Sequence, residues 1–441
     1  MPELLADPDP ALYFAGVLVL AAASQWLAWR VRVPSILVLL LVGFAAGGLV
    51  PPDAVLERDV LFAGVTLAVG VILFEGSLSL RLADVRDLGR PVVRLCTLTV
   101  LLAWGLITAA AWVVGVDWRL ALLVGAILVV TGPTVINPIL RQLRPTRRVA
   151  SLLRWEGIVV DPIGAVLAVL VYQAVLVGSR EDAVGTAALT LLASVGVAVL
   201  IAAVLALALW QAMRRHLVPD FLQGVVFLAV AVGALTVSNA LQTESGLLTV
   251  TLLGIALGNA PGLQLGHVQE FKEHLQVLFV GVLFVVLAGR VTWEQVVEVG
   301  PTALLFVALL VLVVRPVSVL VSLLGTRTTR EERMLLAGMA PRGIVAAAVT
   351  SIFALELEHA AEEAADGGGS GATEGLVSLA AEAEALVPLV FVTIVVTVGI
   401  YGLGVGRLAE RLGLATTRPQ GVAFAGSQPW VRQAAAALGG L

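Results

Sequence analysis

Long apolar runs constrain the fold of this chain more than any other feature of its sequence. Runs of about 17 to 25 residues, the length of an α-helix that crosses about 30 Å of hydrocarbon, recur about thirteen times. Hydrophobic residues make up 59% of the chain and charged residues 13%, which excludes an ordinary soluble domain. We therefore predict an all-α polytopic membrane protein, with spans at residues 11–30, 34–50, 60–79, 92–115, 120–141, 149–177, 184–212, 219–241, 244–260, 274–290, 299–324, 333–356 and 381–405.

The loops between these spans alternate in their content of basic residues. Arginine and lysine are concentrated after spans 1, 3, 5, 7, 9, 11 and 13, whereas the N-terminus and the other loops carry few. Because basic loops tend to stay on the cytoplasmic side, the alternation predicts an outside N-terminus and a cytoplasmic C-terminus. Residues 358–374, which are acidic and rich in glycine, are then expected to form a flexible outer loop.

Two of the spans contain helix-breaking residues near their middle. Span 5 has Thr-Gly-Pro-Thr at residues 131–134, and span 12 has Ala-Pro-Arg-Gly at residues 340–343. Proline removes a helical donor and glycine permits unwinding, so the backbone is expected to open in both places. Two broken spans that are seven apart run in opposite directions, which is typical of inverted-repeat transporters with an ion site near the midplane. A simple proline kink is the alternative for either span alone.

Span 6 carries two carboxylates, Glu156 and Asp161, in an otherwise apolar segment. An ionisable group inside a membrane is costly unless it is paired, hydrated or functional. Five residues correspond to about 140° of helical rotation, so the two side chains point in different directions and have different partners. We assign Glu156 a structural role, with Arg342 or Arg315 as its counter-ion. Asp161 then remains as a site that can hold either a proton or a cation.

These motifs resemble those of the NhaP-type branch of the monovalent cation:proton antiporters. The likeness covers roughly residues 12–411. It is carried by residues 131–138, 155–157, 160–162 and 341–343, with further similarity at 74–78 and 244–248.

The resemblance implies a fold of thirteen spans. Spans 4–6 and 11–13 would form a core domain that moves like an elevator against a dimerisation domain made of spans 1–3 and 7–10, within a homodimer. The transmembrane antiporter domain would then be residues 1–411 and the cytoplasmic tail residues 412–441. It also implies an integral protein of the lipid bilayer, in a bacterial inner membrane.

The resemblance further implies that Na⁺, or alternatively K⁺ or Li⁺, exchanges for H⁺ at Asp161, with no bound cofactor. Thr131 and ordered water are expected to complete an oxygen shell suited to a hard cation. Relatives often carry Asn or a second Asp where this chain has Val160, and a second carboxylate is associated with electrogenic exchange, so Val160 predicts electroneutral one-for-one exchange. Relatives also often carry Asp at position 132 and Ser at position 157. The supporting candidates for the ion site are Gly132, Pro133, Thr134, Asn137 and Gly157.

Several other polar residues and one segment each allow two interpretations. Glu75, near the cytoplasmic end of span 3, either lines the funnel through which the ion reaches the site or is a solvated interfacial carboxylate. His216, His267 and His274 are either pH sensors or ordinary surface residues. Residues 420–438 read as a short strand, a turn and a helix, which is either the start of a nucleotide-binding regulatory domain that continues beyond residue 441 or a disordered or interfacial tail.

Other classes of function fit the sequence less well. A cation channel would use similar polar residues along one continuous pore. An intramembrane aspartyl protease needs two catalytic carboxylates together, and Asp161 has no second deep Asp to join it. The signatures of metalloproteases and serine hydrolases are missing, so we predict a transporter and not an enzyme. The net charge of −4 gives no indication of nucleic-acid binding, and the lone Cys96 excludes an internal disulfide.

Overall fold

The structure, a computed structural model, describes residues 9–31, 33–83, 88–132, 135–136, 139–140, 143, 145–177, 183–242, 245–263, 266–366, 377–379, 381–383, 385–415 and 428. Over these residues the chain is almost entirely helical, and no strand occurs beyond one isolated bridge. The principal helices are α1 Pro10–Val31, α2 Ser35–Gly47, α3 Arg58–Leu78, α4 Arg90–Cys96, α5 Leu98–Val113, α6 Trp118–Leu128, α7 Arg147–Val177, α8 Ala183–Arg214, α9 Asp220–Leu241, α10 Ser245–Gly258, α11 Gly266–Ala288, α12 Trp293–Leu309, α13 Arg315–Ser322, α14 Arg330–Ala337, α15 Ile344–Asp366 and α16 Leu386–Arg411.

Every predicted span overlaps at least one described helix. Among the described residues, eight helical segments are long and apolar enough to cross a membrane, and five shorter apolar helices overlap the other predicted spans. The all-helical membrane architecture predicted from hydropathy is therefore confirmed. The number of crossings and their orientation stay predictions.

The helices pack in two groups. α1, α2 and α3 pack with α9, α10 and α11, and α8 joins them through α9 and α10. Close approach in this group depends on small residues, since a Cβ added to Gly254 of α10 would lie 2.7 Å from the Phe74 carbonyl oxygen of α3. The second group contains α4 to α7 and α12 to α16, and fewer contacts connect it to the first.

Three expectations about boundaries differ from the structure. α15 continues to Asp366, so the first part of the segment 358–374 is helical and not a flexible loop, because its alanines and glutamates favour helix. Residues 367–376 lie outside the described residues. α11 begins at Gly266, eight residues before the predicted start of span 10, so Lys272 lies on a helix and not in a loop. The strand and helix expected at residues 420–438 lie outside the described residues, apart from Gln428.

The end of α16 contacts the start of α7. The Thr146 amide donates a hydrogen bond to the Leu414 carbonyl at 3.0 Å, and Pro145 and Ala415 form the isolated antiparallel bridge. No pattern in the sequence indicates this contact, because a single backbone hydrogen bond has no periodic signal. The chain therefore leaves the second group of helices beside the helix that carries Asp161.

Candidate functional site

The two interruptions lie next to each other. α6 ends at Leu128 and residues 130–132 are not helical, while the non-helical residues 339–343 separate α14 from α15. The backbones of Gly132 and Gly343 meet at this crossing, since a Cβ added to Gly343 would lie 2.5 Å from the Gly132 Cα. No side chain fits in that space, so glycine at position 343 is what permits the approach.

We expect Gly343→Ala to push the two interruptions apart, because the added methyl group overlaps the backbone of Gly132. Overpacking of this kind costs about 1–3 kcal/mol, which lowers the melting temperature of the purified protein. Gly399→Ala is the matched control, since nothing lies within 4 Å of a Cβ built at Gly399 on α16. Equal melting temperatures for the two variants in one detergent would contradict the close crossing.

Asp161 is a buried carboxylate in the middle of α7. The residue is 0% exposed, and neither carboxylate oxygen has a hydrogen-bond partner among the described residues. Buried polar atoms in folded proteins nearly always have a partner. A cation or a proton could supply the missing partner of such a carboxylate.

The neighbours of α7 show where this carboxylate points. Gly164, one turn after Asp161, packs against the interruption that follows α6, where a built Cβ would lie 3.2 Å from the Val129 side chain. Ile158, one turn before Asp161, lies 3.6 Å from a Cβ built on Gly76 of α3. Residues three apart on a helix differ in direction by about 60°. Asp161 therefore faces the space between α3 and the interruption after α6.

Thr131 contributes a second oxygen to the same region. It follows Val129 and Val130 in the α6 interruption, is 3% exposed, and its hydroxyl has no hydrogen-bond partner within the described ranges. A carboxylate and a hydroxyl are oxygen ligands, which suit a hard cation. The part of the chain that the structure describes contains no group of three or more His, Cys, Asp or Glu that could hold a metal ion, so those residues give this site at most two such ligands.

Of the supporting candidates, Gly132 and Gly157 are both buried. Pro133, Thr134 and Asn137 lie outside the described residues. Glu75 on α3 is 6% exposed, so it is not a solvated interfacial carboxylate, and the adjacent Gly76 contacts the α7 face that carries Asp161.

Of the three histidines considered as pH sensors, His216 and His274 are exposed. His267 lies on α11, and its side chain is outside the described part of the structure. His216 follows the end of α8 and His274 lies on an exposed face of α11, so neither of them belongs to the buried site around Asp161.

Glu156 forms a buried ion pair with Arg315. The Arg315 Nη1 and Nη2 atoms each donate to one carboxylate oxygen, the second at 3.0 Å, and the two side chains are 5% and 3% exposed. The Arg315 Nε donates to the Leu336 carbonyl at 3.0 Å, in the last turn of α14. Charge-assisted bidentate pairs are the strongest of the protein hydrogen bonds. This pair joins α7, α13 and α14 at the depth of the interruptions.

A π-helical turn sets the direction of Arg315. Leu310–Val314 forms this turn between α12 and α13, and the Arg315 amide donates to the Leu310 carbonyl, five residues earlier. Pro316 has no N–H and cannot continue α-helical hydrogen bonding. The extra residue in a π turn rotates everything that follows by about 100°, which the apolar pattern of span 11 did not reveal.

Arg342 occupies the other interruption. Its Nη1 donates to the Val130 carbonyl at 3.2 Å, and its backbone amide lies 3.4 Å from the Thr397 hydroxyl on α16. The residue is 3% exposed, and its Nε has no partner among the described residues. The guanidinium therefore binds the carbonyl end of the α6 half-helix, where a positive charge complements the helix dipole.

The sequence left two arginines as candidates for Glu156, and the structure pairs Glu156 with Arg315. Arg342 makes no ion pair with a described residue, and its guanidinium instead donates a hydrogen bond to the Val130 carbonyl. Glu156, Arg315 and Arg342 nevertheless line one cavity of about 10 Å³, the size of about one water molecule.

Thr397 is a residue that sequence reasoning missed. It lies on α16 with 1% exposure, its hydroxyl accepts from the Arg342 amide, and it donates to the Thr393 carbonyl at 2.7 Å. A threonine in an apolar helix usually bonds to its own backbone, so the sequence contained no signal for this contact. It attaches the second interruption to α16.

Buried, unpartnered oxygens beside crossed non-helical segments define a class of protein. Irregular backbone at membrane depth is tolerated only where it is enclosed by protein or lines a cavity, and transporters use it to bind ions. The fold and the site together are those of an integral membrane transporter.

Comparison with known proteins gives the family. The sequence profile described as "Sodium/hydrogen exchanger, transmembrane" matches residues 16–411. The solved structure of the sodium proton antiporter MjNhaP1 from Methanocaldococcus jannaschii at pH 8 superposes with a TM-score of 0.78 at 23% identity, covering 91% of this chain and 98% of that one. The chain therefore belongs to the sodium/hydrogen exchanger family of membrane-embedded monovalent cation/proton antiporters.

Individual relatives are distant in sequence. Na(+)/H(+) antiporter 1 of M. jannaschii is 24% identical over 78% of this chain and 83% of its own length. The K(+)/H(+) antiporter NhaP of Alkalimonas amylolytica is 28% identical over 75% of this chain, and NhaP2 of Shewanella sp. (strain ANA-3) is 25% identical over 77%. The chain spans 58% and 60% of the length of these two potassium antiporters.

Proposed function

We propose that the protein exchanges one monovalent cation, Na⁺ in the first instance, for one proton across the membrane. Both would bind in turn at Asp161, with Thr131 as a second oxygen ligand. The observation that carries this proposal is the condition of Asp161, a fully buried carboxylate with no hydrogen-bond partner among the described residues at the crossing of two interrupted helices.

Competition between the cation and the proton for one carboxylate explains why their movements are coupled. Burial disfavours the ionised form, and either a proton or a bound cation supplies the missing positive charge. The site then carries one positive ion in each direction of transport, the cation in one direction and the proton in the other. Val160, the neighbouring residue, is apolar and 2% exposed, so it adds no second carboxylate next to Asp161. These features support an electroneutral one-for-one exchange.

The proposed alternating access is a movement of one group of helices against the other. The Glu156–Arg315 pair and the Arg342–Val130 hydrogen bond both connect helices within the group α4 to α7 and α12 to α16. Breaking a buried ion pair is costly, so this group is expected to move as one body that carries the site. The group of α1 to α3 and α8 to α11 would form the dimer and stay in place.

The proposal also concerns which monovalent cation is exchanged. Carboxylate and hydroxyl oxygens suit Na⁺, Li⁺ and K⁺ alike, since these ions differ in size and not in ligand type. The relatives include proteins named for Na⁺ and proteins named for K⁺. A K⁺/H⁺ exchange at the same site is therefore the second candidate function.

The experiment uses purified protein in proteoliposomes with an imposed pH gradient. We expect Na⁺, and to a different extent Li⁺ and K⁺, to dissipate the gradient at rates that are the same with the membrane potential clamped and unclamped. A rate that follows the potential would contradict one-for-one exchange. Cation flux without proton counterflow would indicate a channel and would contradict antiport altogether.

A further inference from the structure

One residue of α7 is exposed where the rest of the helix is covered. Arg154 is exposed, whereas every other residue from Val149 to Gln173 is buried or half-buried. Arg154 makes no hydrogen bond or ion pair with a described residue. A guanidinium in hydrocarbon is costly, so Arg154 is expected to face water or lipid headgroups and not the lipid tails.

Arg154 shares a helix face with Asp161. The two are seven residues apart, which is about 20° short of two full turns and about 10.5 Å along the axis. Arg147, seven residues earlier on the same face, is also exposed. Between Arg154 and Asp161, Ile158 is 0% exposed and lies against Gly76 of α3. On this face, the contact between Ile158 and Gly76 therefore lies between the exposed Arg154 and the carboxylate of Asp161.

We propose that this face of α7 lines a water-filled vestibule, and that Arg154 is a positive charge at its end that weakens cation binding at Asp161 and discriminates against divalent cations. This inference rests on the proposed function. Carboxylate and hydroxyl oxygens also suit Ca²⁺ and Mg²⁺, so ligand type alone does not exclude them. Coulomb repulsion is proportional to the charge of the ion, so the factor lost by a monovalent cation is squared for a divalent one.

The size of the effect follows from the separation. At about 10 Å, two unit charges change binding by about twofold at the dielectric constant of water and by about fifteenfold at an effective value of ~20. A vestibule of water beside a protein wall lies between these limits. We expect removal of the charge to strengthen monovalent binding by about twofold to tenfold.

The test compares Arg154→Gln, Arg154→Lys and Arg330→Gln in everted vesicles, whose outer surface is the predicted cytoplasmic side. Arg330 is an exposed arginine at the first residue of α14 and serves as the control for charge loss elsewhere. The apparent KM for Na⁺ is measured at alkaline pH and low ionic strength. The pH matters because the loss of a positive charge strengthens proton and cation binding equally, so the KM changes only where protons no longer compete.

For Arg154→Gln we expect a KM about twofold to tenfold lower at an unchanged maximal rate, and inhibition by Ca²⁺ at concentrations lower by about the square of that factor. Arg154→Lys and Arg330→Gln should match the wild type. The difference should shrink at high ionic strength, because the Debye length falls to about 3 Å at 1 M salt.

An unchanged KM in Arg154→Gln at alkaline pH and low salt would overturn the proposal and would place Arg154 at the lipid headgroups. A lower maximal rate with the same KM would also overturn it, as a structural effect. If the wild type shows no exchange, the proposed function fails instead, so the two failures are distinguishable.

Discussion

Asp161→Asn is expected to abolish cation-driven proton movement, with a residual rate more than about 100-fold below the wild type. The amide has the shape of the carboxylate but cannot exchange a proton for a cation, so cation binding is no longer coupled to proton release. The fold should survive, because the substitution removes an ionised group that has no partner among the described residues at 0% exposure. Dissipation of a pH gradient in everted vesicles measures the exchange, and the melting temperature of the purified variant measures the fold.

The control for this substitution is Asp220→Asn. Asp220 is an exposed carboxylate at the first residue of α9, and its side chain accepts a hydrogen bond from Gln223. We expect this variant to exchange at the wild-type rate. Exchange by Asp161→Asn at a rate comparable with Asp220→Asn would contradict the assignment of Asp161.

Breaking the Glu156–Arg315 pair is expected to have the largest effect on stability. Glu156→Gln leaves the Arg315 guanidinium buried without a compensating charge, and Arg315→Met leaves the Glu156 carboxylate in the same condition. Removal of one partner of a buried pair costs about 3–5 kcal/mol. The double variant should recover part of that loss, since it leaves neither buried charge without its counter-ion. Thermal unfolding of the two single variants and the double variant forms the cycle that measures the coupling.

A half-exposed ion pair provides the comparison for that cycle. Arg148 contacts Glu332 at 3.3 Å, but the Arg148 side chain is 41% exposed, so the pair is screened by water. Arg148→Gln should change stability by no more than about 1 kcal/mol. If Glu156→Gln and Arg148→Gln lowered the melting temperature equally, the buried pair would not be the stabilising contact described above.

The sequence alone predicts those features of the fold that depend on the spacing of apolar residues or on a single residue type. Apolar length predicted the helical membrane architecture, because hydrocarbon thickness sets helix length. Pro and Gly predicted breaks in two spans, and the described residues 130–132 and 339–343 are not helical. The 140° between Glu156 and Asp161 predicted that they have different partners, and the structure places one in an ion pair and the other without a described partner.

Other features depend on contacts between distant segments or on exceptions to a period. The choice of Arg315 over Arg342 depends on a π turn, which shifts the helical phase by one residue without changing the apolar pattern. The burial of Glu75 depends on which helices cover α3, and the bridge between Pro145 and Ala415 is a backbone contact without a side-chain signal. The exposure of Arg154 depends on which α7 residues other helices cover.

Proton release on cation binding tests the central claim most directly. Purified wild-type protein in weakly buffered detergent is titrated with Na⁺, and with K⁺ in parallel, while released protons are measured with a pH-sensitive dye and heat by calorimetry. Because the cation replaces a proton on one carboxylate, we predict about one proton released for each cation bound, and none from Asp161→Asn. Proton release from Asp161→Asn equal to that of the wild type would contradict competition at this residue.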